Sequence, residues 1–537
     1  MQHGIYNLAQ KLLELPEQGI SYYQKNSVTT RRYAEVYADV KNAEARLNSW
    51  GVEPNMRVGV LANNCYEWIV FELALLQMRC VTVCFPLEEF AHTRLENLAE
   101  KYRLHLLLIS KAERSRRQDS SEWVAVLDGE NERKVTSRRA FDDEIELDRD
   151  GFPLSPDVLT LIFSSGTSGK LKCLKIGKRG AEEWIAACGR SFSFSGDDRM
   201  IIALPFSNHQ QRMLMYTAIW YGFNLLLVEP AQLFRAFKEM QPTLIAGPPM
   251  LYEDIENRFR TLSRFQQLLL STVGRMINIL TLEPLRSTLL RRWFKPFYDA
   301  FGGRMRVMLT GSAPSRKSTL ELYALMGLPL YQVYGTGEVG MIALNLPGAN
   351  RLGSVGKPAY EGAVTIADDG EIIVCHDCPV SLGYLYGGEE ERSVYLGSNR
   401  IATGDIGRFD KHGYLYITGR KKEIIITQGG QKIQPEALEK ELEKSPDVSR
   451  AVVYGGGELR GLVAVVSLRS EDNLRTKNGI QSAVDKLNSM IPSASRINRL
   501  VFTTVQFRAD NGFLTRNLKT DRNAIFEAFK ESLIGER

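Results

Sequence analysis

The chain has 537 residues, of which 44% are hydrophobic and 24% are charged, with 44 Gly and 20 Pro. This composition excludes a disordered, collagen-like or low-complexity protein. The seven Cys residues are sparse and do not have the spacing of a disulfide framework. We therefore predict a multidomain α/β protein of a reducing compartment.

Neither the amino terminus nor any internal segment predicts membrane insertion. The first 20 residues lack a basic segment followed by an apolar run, so we expect no signal peptide. The longest uncharged stretch, Met213 to Val228, has 16 residues, whereas a membrane helix needs about 18 to 20. We expect a soluble, cytoplasmic protein.

The net charge of +5 comes from the C-terminal end. From Arg420 onward there are 20 Lys and Arg against 15 Asp and Glu, whereas the first 419 residues carry 48 of each sign. A basic end of this kind could meet a polyanionic cofactor or an acidic protein partner. An ordinary solvated surface is the alternative.

Helices and strands alternate in the first third of the chain. Residues 30–50 have the apolar spacing of a helix that ends at Gly51, and residues 67–78 predict a second helix. Short apolar runs predict strands at 57–64, 80–87, 104–110 and 123–128. This alternation implies a parallel sheet with helices on both faces. Apart from its strand, the polar segment 111–157 suits a surface connection.

The central part repeats the pattern, and the C-terminal part changes it. Five further apolar runs predict strands at 159–163, 200–204, 224–228, 243–247 and 305–309. From Asp368 onward, short strands joined by Gly turns are typical of an antiparallel sheet; they are 369–374, 415–418 and 422–427. Beyond Arg420, strand and helix alternate on a smaller scale. We predict two domains, 1–419 and 420–537, that meet at a hinge near residue 420.

A Gly- and hydroxyl-rich loop, SSGTSGKLK, follows the strand at 159–163. Gly166 and Gly169 let the backbone N–H groups turn toward an anion. Hydroxyl donors and the Lys172 ammonium complete the chemistry needed to hold a triphosphate; the hydroxyl residues are Ser164, Ser165, Thr167 and Ser168. The loop lacks the GK[ST] ending of the Walker pattern. A flexible surface loop is the alternative.

Six further motifs follow this loop in a fixed order. They are GSAP at 311–314, YGTGE at 334–338, TGD at 403–405, GRKKE at 419–423, GGQKIQPEALE at 429–439 and NGFLTRNLKTDR at 511–522. Together they resemble the signatures of the adenylate-forming superfamily of acyl-CoA synthetases, adenylation domains and luciferases. The last motif is closest in style to long-chain fatty acyl-CoA synthetases. The resemblance extends from Ser164 to Arg522.

The resemblance implies a fold and a reaction. The fold is α/β: a large N-terminal domain with parallel sheets and a small antiparallel barrel-like part, followed by a small, mobile α+β domain. In the reaction, a carboxylate attacks the α-phosphate of ATP and releases pyrophosphate. A thiol then displaces AMP from the acyl-adenylate to give a thioester.

The resemblance also assigns roles to individual residues. Glu338 would bind Mg²⁺ with Ser164 as a second ligand, since a hard cation prefers oxygen. Lys519 would be the catalytic lysine of adenylation, with Lys172 as a further cation. Lys422 matches the hinge position. The residues that would contact nucleotide or pantetheine are Ser164, Ser165, Gly166, Thr167, Ser168, Gly169, Gly311, Ser312, Ala313, Pro314, Tyr334, Gly335, Thr336, Asp405, Arg420, Gly429 and Gly430.

The resemblance gives some of these residues a specific contact with the ligand. Tyr334 would stack on adenine, Asp405 would accept hydrogen bonds from the ribose hydroxyls, and Arg420 would reinforce Asp405. The pair Gly429–Gly430 leaves room for a pantetheine arm when the small domain rotates.

Four positions depart from the family pattern. Leu171 and Cys173 replace the usual Pro and Gly of the loop, and Gly337 replaces a Thr whose hydroxyl normally reaches the phosphate. Leu518 stands where many members have Gly, as in the long-chain form of the motif. Whether the first three substitutions lower activity stays open.

The motifs say less about the acid substrate than about the nucleotide. Asn208 and His209 occupy the segment that lines the family's acid pocket; a structural His is the alternative. No acidic residue occurs between Leu204 and Asn224, which disfavours α-amino acids, and Ile426 disfavours luciferase chemistry. Only 66 residues separate Glu338 from Asp405, which leaves little room for the insertion of ligases that stop at the adenylate.

Two further segments attract attention. The helical segment 255–300 is rich in Arg and Leu; it predicts either a pair of helices that cover the domain or peripheral membrane contact. CHDC at Cys375–Cys378 has metal-ligand spacing, but a buried pair of free thiols is the expectation, because no second ligand pair accompanies it.

We predict an ATP-dependent acid–thiol ligase that activates a fatty or aryl acid. The cofactors are ATP, Mg²⁺ and coenzyme A or phosphopantetheine; the partners are the acid and CoA or an acyl carrier protein, with no nucleic acid. Two alternatives stay open: a carrier-protein-specific adenylation enzyme of a natural-product pathway, and a catalytically degenerate nucleotide- or acyl-binding regulatory protein.

Overall fold

The structure is a computed structural model. It describes residues 4–131, 134–138, 157–165, 171–397, 399–426, 431–456, 459, 461–469, 474–508, 510–514 and 520–534.

The elements up to residue 138 are the 3-10 helix Ile5–Leu13, β1 (Gly19–Gln24), β2 (Ser27–Arg32), α1 (Tyr33–Ser49), β3 (Arg57–Leu61), α2 (Tyr66–Gln77), β4 (Val81–Cys84), α3 (Leu95–Tyr102), β5 (Leu106–Ile109), α4 (Lys111–Arg117) and β6 (Val124–Val126). The next elements are β7 (Val158–Ser165), β8 (Leu171–Gly177), α5 (Lys178–Ser191), β9 (Arg199–Ile202), α6 (His209–Tyr221), β10 (Asn224–Leu227), the 3-10 helix Pro230–Gln232, α7 (Leu233–Met240), β11 (Leu244–Gly247), α8 (Pro249–Arg260), α9 (Arg264–Asn278), α10 (Glu283–Trp293), α11 (Lys295–Ala300), β12 (Val307–Thr310), α12 (Lys317–Met326), β13 (Leu330–Thr336) and β14 (Gly340–Leu344).

The remaining elements are β15 (Lys357–Pro358), β16 (Val364–Ile366), β17 (Glu371–Cys375), β18 (Ser381–Leu385), α13 (Glu389–Arg392), β19 (Arg400–Phe409), β20 (Leu415–Arg420), the 3-10 helix Lys421–Glu423, β21 (Ile425–Ile426), β22 (Lys432–Ile433), α14 (Pro435–Leu442), β23 (Val448–Tyr454), β24 (Leu462–Leu468), α15 (Leu474–Met490), the 3-10 helix Ser493–Ser495, β25 (Ile497–Thr503) and α16 (Arg522–Ile534).

Two large sheets form the frame of the N-terminal part. One has seven strands in the order β18-β8-β7-β4-β3-β5-β6, and the other has nine in the order β15-β14-β13-β12-β11-β9-β10-β1-β2. Strands β4, β3, β5 and β6 pair in parallel, as do β13, β12, β11, β9 and β10. Helices α2 and α6 are buried along almost their whole length in the largest core. The continuous apolar runs of the sequence therefore belong to elements that are covered on all sides.

Three smaller sheets complete the described fold, and one of them is the two-stranded pair β21-β22. The antiparallel sheet β16-β17-β19-β20 follows the parallel sheets, and the C-terminal part has the three-stranded sheet β23-β24-β25 with its own core. The predicted α/β class, with parallel sheets, an antiparallel part and a smaller C-terminal α+β unit, is confirmed.

Several predicted elements differ in detail. The helix expected at 30–50 begins at Tyr33, because residues up to Arg32 form the second strand of a hairpin. That hairpin was not predicted; its first strand pairs in parallel with β10. The strand expected at 422–427 is only Ile425–Ile426, preceded by a 3-10 turn. Within the expected surface connection, Ser110 accepts a hydrogen bond from the Glu113 amide and caps helix α4.

The C-terminal part contacts helix α8 and the segment before α12 through ion pairs. Arg450 lies 3.3 Å from Glu253 on α8 and 3.7 Å from Glu443. Arg316 lies 3.6 Å from the same Glu253 carboxylate and donates a hydrogen bond to the carbonyl oxygen of Ser449. A small network of charges thus holds the two parts in this arrangement.

We expect Arg450→Gln to loosen that arrangement, because it removes one of the two cations beside Glu253. Tryptic cleavage near Lys421 should become faster by roughly two- to fivefold, in line with the modest strength of partly exposed ion pairs. Arg475→Gln, an exposed position on α15, is the matched control. An unchanged cleavage rate in Arg450→Gln would show that the network does not hold the two parts together.

Candidate active site

The site residues of the described chain meet where several strands end. Ser164 lies at the end of β7, the GSAP turn follows β12, and Tyr334 lies near the end of β13. Because β12 and β13 are adjacent and parallel, their carboxyl ends share one edge of the sheet. Asp405 and Arg420 face each other as a register pair of β19 and β20.

Asp405 is buried and is held by two side chains. The Tyr334 hydroxyl donates to its Oδ2 at 2.7 Å, and the Arg420 Nε lies 3.1 Å from its Oδ1. Burial and the Asp405 charge keep the Tyr334 pKa well above its ordinary value, so this hydroxyl remains a donor. Each oxygen of the Asp405 carboxylate thus has a donor from a different strand, which fixes the orientation of the carboxylate.

Glu338 lies in the tight turn between β13 and β14. Its carboxylate accepts a hydrogen bond from the hydroxyl of Tyr384 on β18. The Thr336 Oγ1 accepts from the Val339 amide at 3.3 Å, which fixes the turn. A Cβ at Gly337 would lie 2.9 Å from the buried Leu174 Cδ1, so a larger residue there requires Leu174 to move. The departure at Gly337 therefore matches the packing of this chain.

Lys172 is held by a partner that the motifs do not contain. Its Nζ lies 2.7 Å from the Glu391 carboxylate and 5.8 Å from the centre of the Tyr384 ring. Lys172 lowers the pKa of Glu391. The pKa of Lys422 is also lowered, by burial and by the positive charge of Lys172. Lys172 is also the register partner of Ser164 on the neighbouring strand. We call the two cations and two carboxylates that these contacts link, Lys172, Lys422, Glu338 and Glu391, the charged cluster.

The GSAP turn packs closely against β13. A Cβ on Gly311 would lie 2.7 Å from the Val333 carbonyl oxygen, so only glycine allows this approach. Ser312 has a positive φ of 67°, and its hydroxyl lies 3.4 Å from the Gln210 side chain at the start of α6. Ala313 and Pro314 continue the turn. The sequence does not predict a site role for Gln210, because the segment that lines the family's acid pocket points to its neighbours Asn208 and His209.

Asn208 and His209 have different roles in the structure. Asn208 caps α6 by accepting a hydrogen bond from the Gln210 amide at 3.1 Å. His209 is buried, and burial together with Arg212 holds its pKa well below its ordinary value. Within the described chain, neither ring nitrogen of His209 has a hydrogen-bond partner. The lowered pKa favours the neutral imidazole, and both of its nitrogens are without a partner among the described residues.

A small apolar cavity lies beside this segment, between α5, α6 and the nine-stranded sheet. Its volume is about 20 Å³. The lining side chains include Cys188, Phe192, Leu214, Thr217 and Leu309. Leu309 is two residues before Gly311, so the cavity lies beside the strand that carries the GSAP turn.

The sequence motifs also do not predict the buried ion pair of Arg212 and Glu72. Their side chains are 3.1 Å apart and fully buried, and the Tyr216 hydroxyl donates to the same carboxylate. The Thr82 and Thr160 hydroxyls also surround the guanidinium. The pair joins α6 to α2 and to the seven-stranded sheet, so it fixes the helix that carries Asn208, His209 and Gln210.

Some predicted site residues lie outside the described residues. They are Gly166, Thr167, Ser168, Gly169, Gly429, Gly430 and Lys519, and of Ser165 only the backbone is described. Their roles stay predictions. Gly335 and Thr336 lie at the end of β13, beside the turn that carries Glu338.

The described chain offers no metal centre made of protein ligands alone: within it, no three His, Cys, Asp or Glu side chains converge. Cys375 is exposed and Cys378 is half-buried, and both are free thiols. The expected burial of this pair is therefore wrong for Cys375, which lies at the end of β17. A Mg²⁺ ion normally takes one or two carboxylates together with water and phosphate oxygens, so this finding does not test Glu338 and Ser164, which stay the predicted ligands.

Comparison with known proteins gives one consistent result. Residues 16–386 match the AMP-binding enzyme family, and residues 422–534 match the AMP-binding enzyme C-terminal domain. The long-chain-fatty-acid–CoA ligase FadD15 of Mycobacterium bovis is 26% identical over 93% of this chain and 91% of its own length. The 2-succinylbenzoate–CoA ligase of Bacillus cereus is 25% identical over 83% and 84%.

Solved structures agree on the fold. The o-succinylbenzoate CoA synthetase (MenE) of Bacillus subtilis, in complex with the acyl-adenylate intermediate OSB-AMP, superposes with a TM-score of 0.72 at 18% identity and covers 97% of this chain and 98% of its own. The same enzyme in complex with ATP and magnesium ion also gives a TM-score of 0.72, at 19% identity, over 97% and 99%.

Proposed function

The chain belongs to the AMP-binding enzyme family, and on that premise we propose that it is an ATP-dependent acid–thiol ligase that makes acyl-CoA from a fatty or aryl acid. The observation that carries the proposal is the arrangement of Asp405, Tyr334 and Arg420 beside the charged cluster. Two of the named relatives are CoA ligases, one for long-chain fatty acids and one for 2-succinylbenzoate. These names support CoA as the thiol substrate. They do not choose between a fatty acid and an aryl acid.

The proposed reaction has two balanced halves. The acid carboxylate attacks the α-phosphate of ATP, and pyrophosphate leaves to give the acyl-adenylate. The CoA thiol, which gives up its proton, then attacks the acyl carbon, and AMP leaves. Both halves develop negative charge, so positioned cations lower the barrier.

We assign the parts of this reaction to individual residues of the chain. Asp405 would hold the ribose, and Tyr334 would stack on adenine beside the GSAP turn. Lys172 would meet the phosphates, and Lys519 would bridge the acid carboxylate and the α-phosphate. Magnesium, held by Glu338 and Ser164, would neutralise charge on the phosphate oxygens. Asn208 and His209 would line the acid pocket.

The two-domain arrangement is part of the proposal. We propose a boundary at 419/420, with domains 1–419 and 420–537, and rotation about Lys422 that exchanges Lys519 for Gly429–Gly430 at the site. The charge network at Glu253 supports a separable contact rather than a continuous core. We also propose a cytoplasmic location and peripheral contact of the segment 255–300 with a membrane.

The test of the proposed function is pyrophosphate release from ATP with a panel of carboxylic acids, with and without CoA. We expect release that requires a fatty or aryl acid and that increases with CoA. Release without a CoA effect would indicate a carrier protein as the acceptor. Nucleotide binding without release from any acid would support the degenerate binding protein instead.

Glu391 gives a second prediction at this site. Glu391→Gln should tighten ATP binding by roughly two- to fivefold, because Lys172 no longer has to exchange a carboxylate for a phosphate. Calorimetric titration with ATP measures the effect. Glu389→Gln, an exposed acid in the same short helix, controls for the change in net charge. Weaker binding in Glu391→Gln would mean that Glu391 positions Lys172 rather than competing for it.

A further inference from the structure

Helix α9 has two separate apolar faces. One face packs inward: a Cβ on Gly274 would lie within 3.1 Å of Leu325 and Phe294, and Ile277 is buried. The other face carries apolar side chains at helical spacing that remain exposed, namely Phe265, Leu268, Leu269 and Met276, with Ile279 directly after the helix. Phe265 is 74% exposed and Ile279 78%. One apolar face suffices for a helix that covers a domain, so the second requires another explanation.

The next helix also has exposed apolar side chains. Leu282 and Leu285 are exposed in the connection and at the start of α10, and Trp293 is 45% exposed at its end. Each of these three side chains keeps at least 45% of its surface exposed. We call this set, from Phe265 to Trp293, the apolar face.

The charges around the apolar face are almost all positive. Residues 261–295 contain six Lys and Arg and a single acid, Glu283. The basic residues are Arg264, Arg275, Arg286, Arg291, Arg292 and Lys295. Most of them are exposed, and their long aliphatic stems allow the charge to sit at the edge of an apolar layer. A protein interface rich in apolar residues is usually depleted of charge at its centre, whereas an interfacial membrane helix combines exposed apolar side chains with Lys and Arg along its length.

We propose that the apolar face binds the surface of a bilayer that contains anionic phospholipid. The apolar side chains of α9 would enter the boundary between headgroups and acyl chains, and the surrounding Arg and Lys would meet the phosphates. No described helix has the length and apolar character to cross a bilayer; the proposed contact is one that lies on the surface.

The position of the face connects it to the candidate site. Helix α9 packs on α12, where the Asn278 side chain donates to the Leu325 carbonyl oxygen at 3.0 Å. Helix α12 follows the GSAP turn directly. The proposal extends the proposed function, since fatty acids and their CoA esters partition to membranes, but the contact itself requires neither nucleotide nor acid.

The test is flotation of the full chain with vesicles of phosphatidylcholine alone and of phosphatidylcholine with 30% phosphatidylglycerol, without ATP or acid. We expect binding to the anionic vesicles that is stronger by about tenfold or more and that weakens with salt. The variant Phe265→Ser/Leu268→Ser/Ile279→Ser should lose binding by at least tenfold. The control variant Leu474→Ser/Met490→Ser, which changes exposed apolar residues of α15, should bind as the unchanged chain does.

A second variant separates charge from apolar contact. Arg264→Gln/Arg275→Gln/Arg292→Gln should retain weak binding to neutral vesicles and lose the preference for anionic ones. Circular dichroism and sedimentation velocity check folding and association of each variant. Absence of vesicle binding, or binding that all variants retain, would overturn the proposal. A dimer that dissociates in the apolar variant, without vesicle binding, would assign the face to a second copy of the chain.

Because the flotation assay contains neither ATP nor acid, its result does not depend on whether the chain catalyses the proposed reaction.

Discussion

Lys519→Ala should abolish adenylate formation while the chain still makes thioester from a supplied acyl-adenylate. We expect a loss on the order of 10²- to 10³-fold in acid-dependent pyrophosphate release, because an ammonium that bridges carboxylate and α-phosphate acts only while charge develops there. The second half-reaction should change by less than about threefold, since the proposed rotation of the small domain would remove Lys519 before the thiol enters.

Lys530→Ala is the matched control for this prediction. Lys530 lies on α16, is half exposed, and pairs only with the Glu527 carboxylate at 3.2 Å among the contacts of the described residues. It should leave both halves unchanged. Equal losses in both halves for Lys519→Ala would contradict the alternation of the small domain.

Asp405→Ala should raise the ATP dissociation constant by roughly ten- to a hundredfold. The variant removes the proposed ribose acceptor and leaves the buried Tyr334 hydroxyl without its partner. An unpaired buried polar group costs about 1 to 3 kcal/mol, so thermal unfolding should also occur at a lower temperature. Calorimetric titration with ATP and a melting curve measure the two effects separately.

Tyr334→Phe distinguishes ligand binding from structural support. It removes the 2.7 Å hydrogen bond to Asp405 and keeps both the carboxylate and an aromatic ring. We expect near-normal ATP binding with a stability loss of about 1 kcal/mol. If Tyr334→Phe weakened ATP binding as strongly as Asp405→Ala, Asp405 would act by bracing Tyr334, and the ribose assignment would be wrong.

The structure brings the motif residues Tyr334, Asp405 and Arg420 into contact, and their roles toward a nucleotide stay predictions. The Tyr334–Glu338 segment and the pair of Asp405 and Arg420 are local or adjacent in an antiparallel register, so their type and spacing indicate a common site. Glu391 and Tyr384 could not be found in this way. They belong to a later strand and a short helix, and only the fold brings them to Lys172 and Glu338.

The elements of the fold were likewise predictable where the sequence signal is local, and not where residues pair across long sequence distances. Continuous apolar runs predict buried parallel strands, since a strand covered on both faces has no polar side. Pairing across long sequence distances leaves no local signal: the first hairpin joins β10, some 200 residues away, and Arg212 pairs with Glu72. Helix α9 is apolar on two sides, so its sequence alone does not tell which face is buried.

The most direct test of the central claim is ATP–pyrophosphate exchange with a fatty acid present and every thiol absent. Adenylation is reversible before the thiol arrives, so labelled pyrophosphate should enter ATP only when the acid is present, and Glu338→Ala should suppress the exchange. Fatty or aryl acids that support exchange would establish adenylate formation by this chain. Tight ATP binding without exchange from any carboxylic acid would contradict the account.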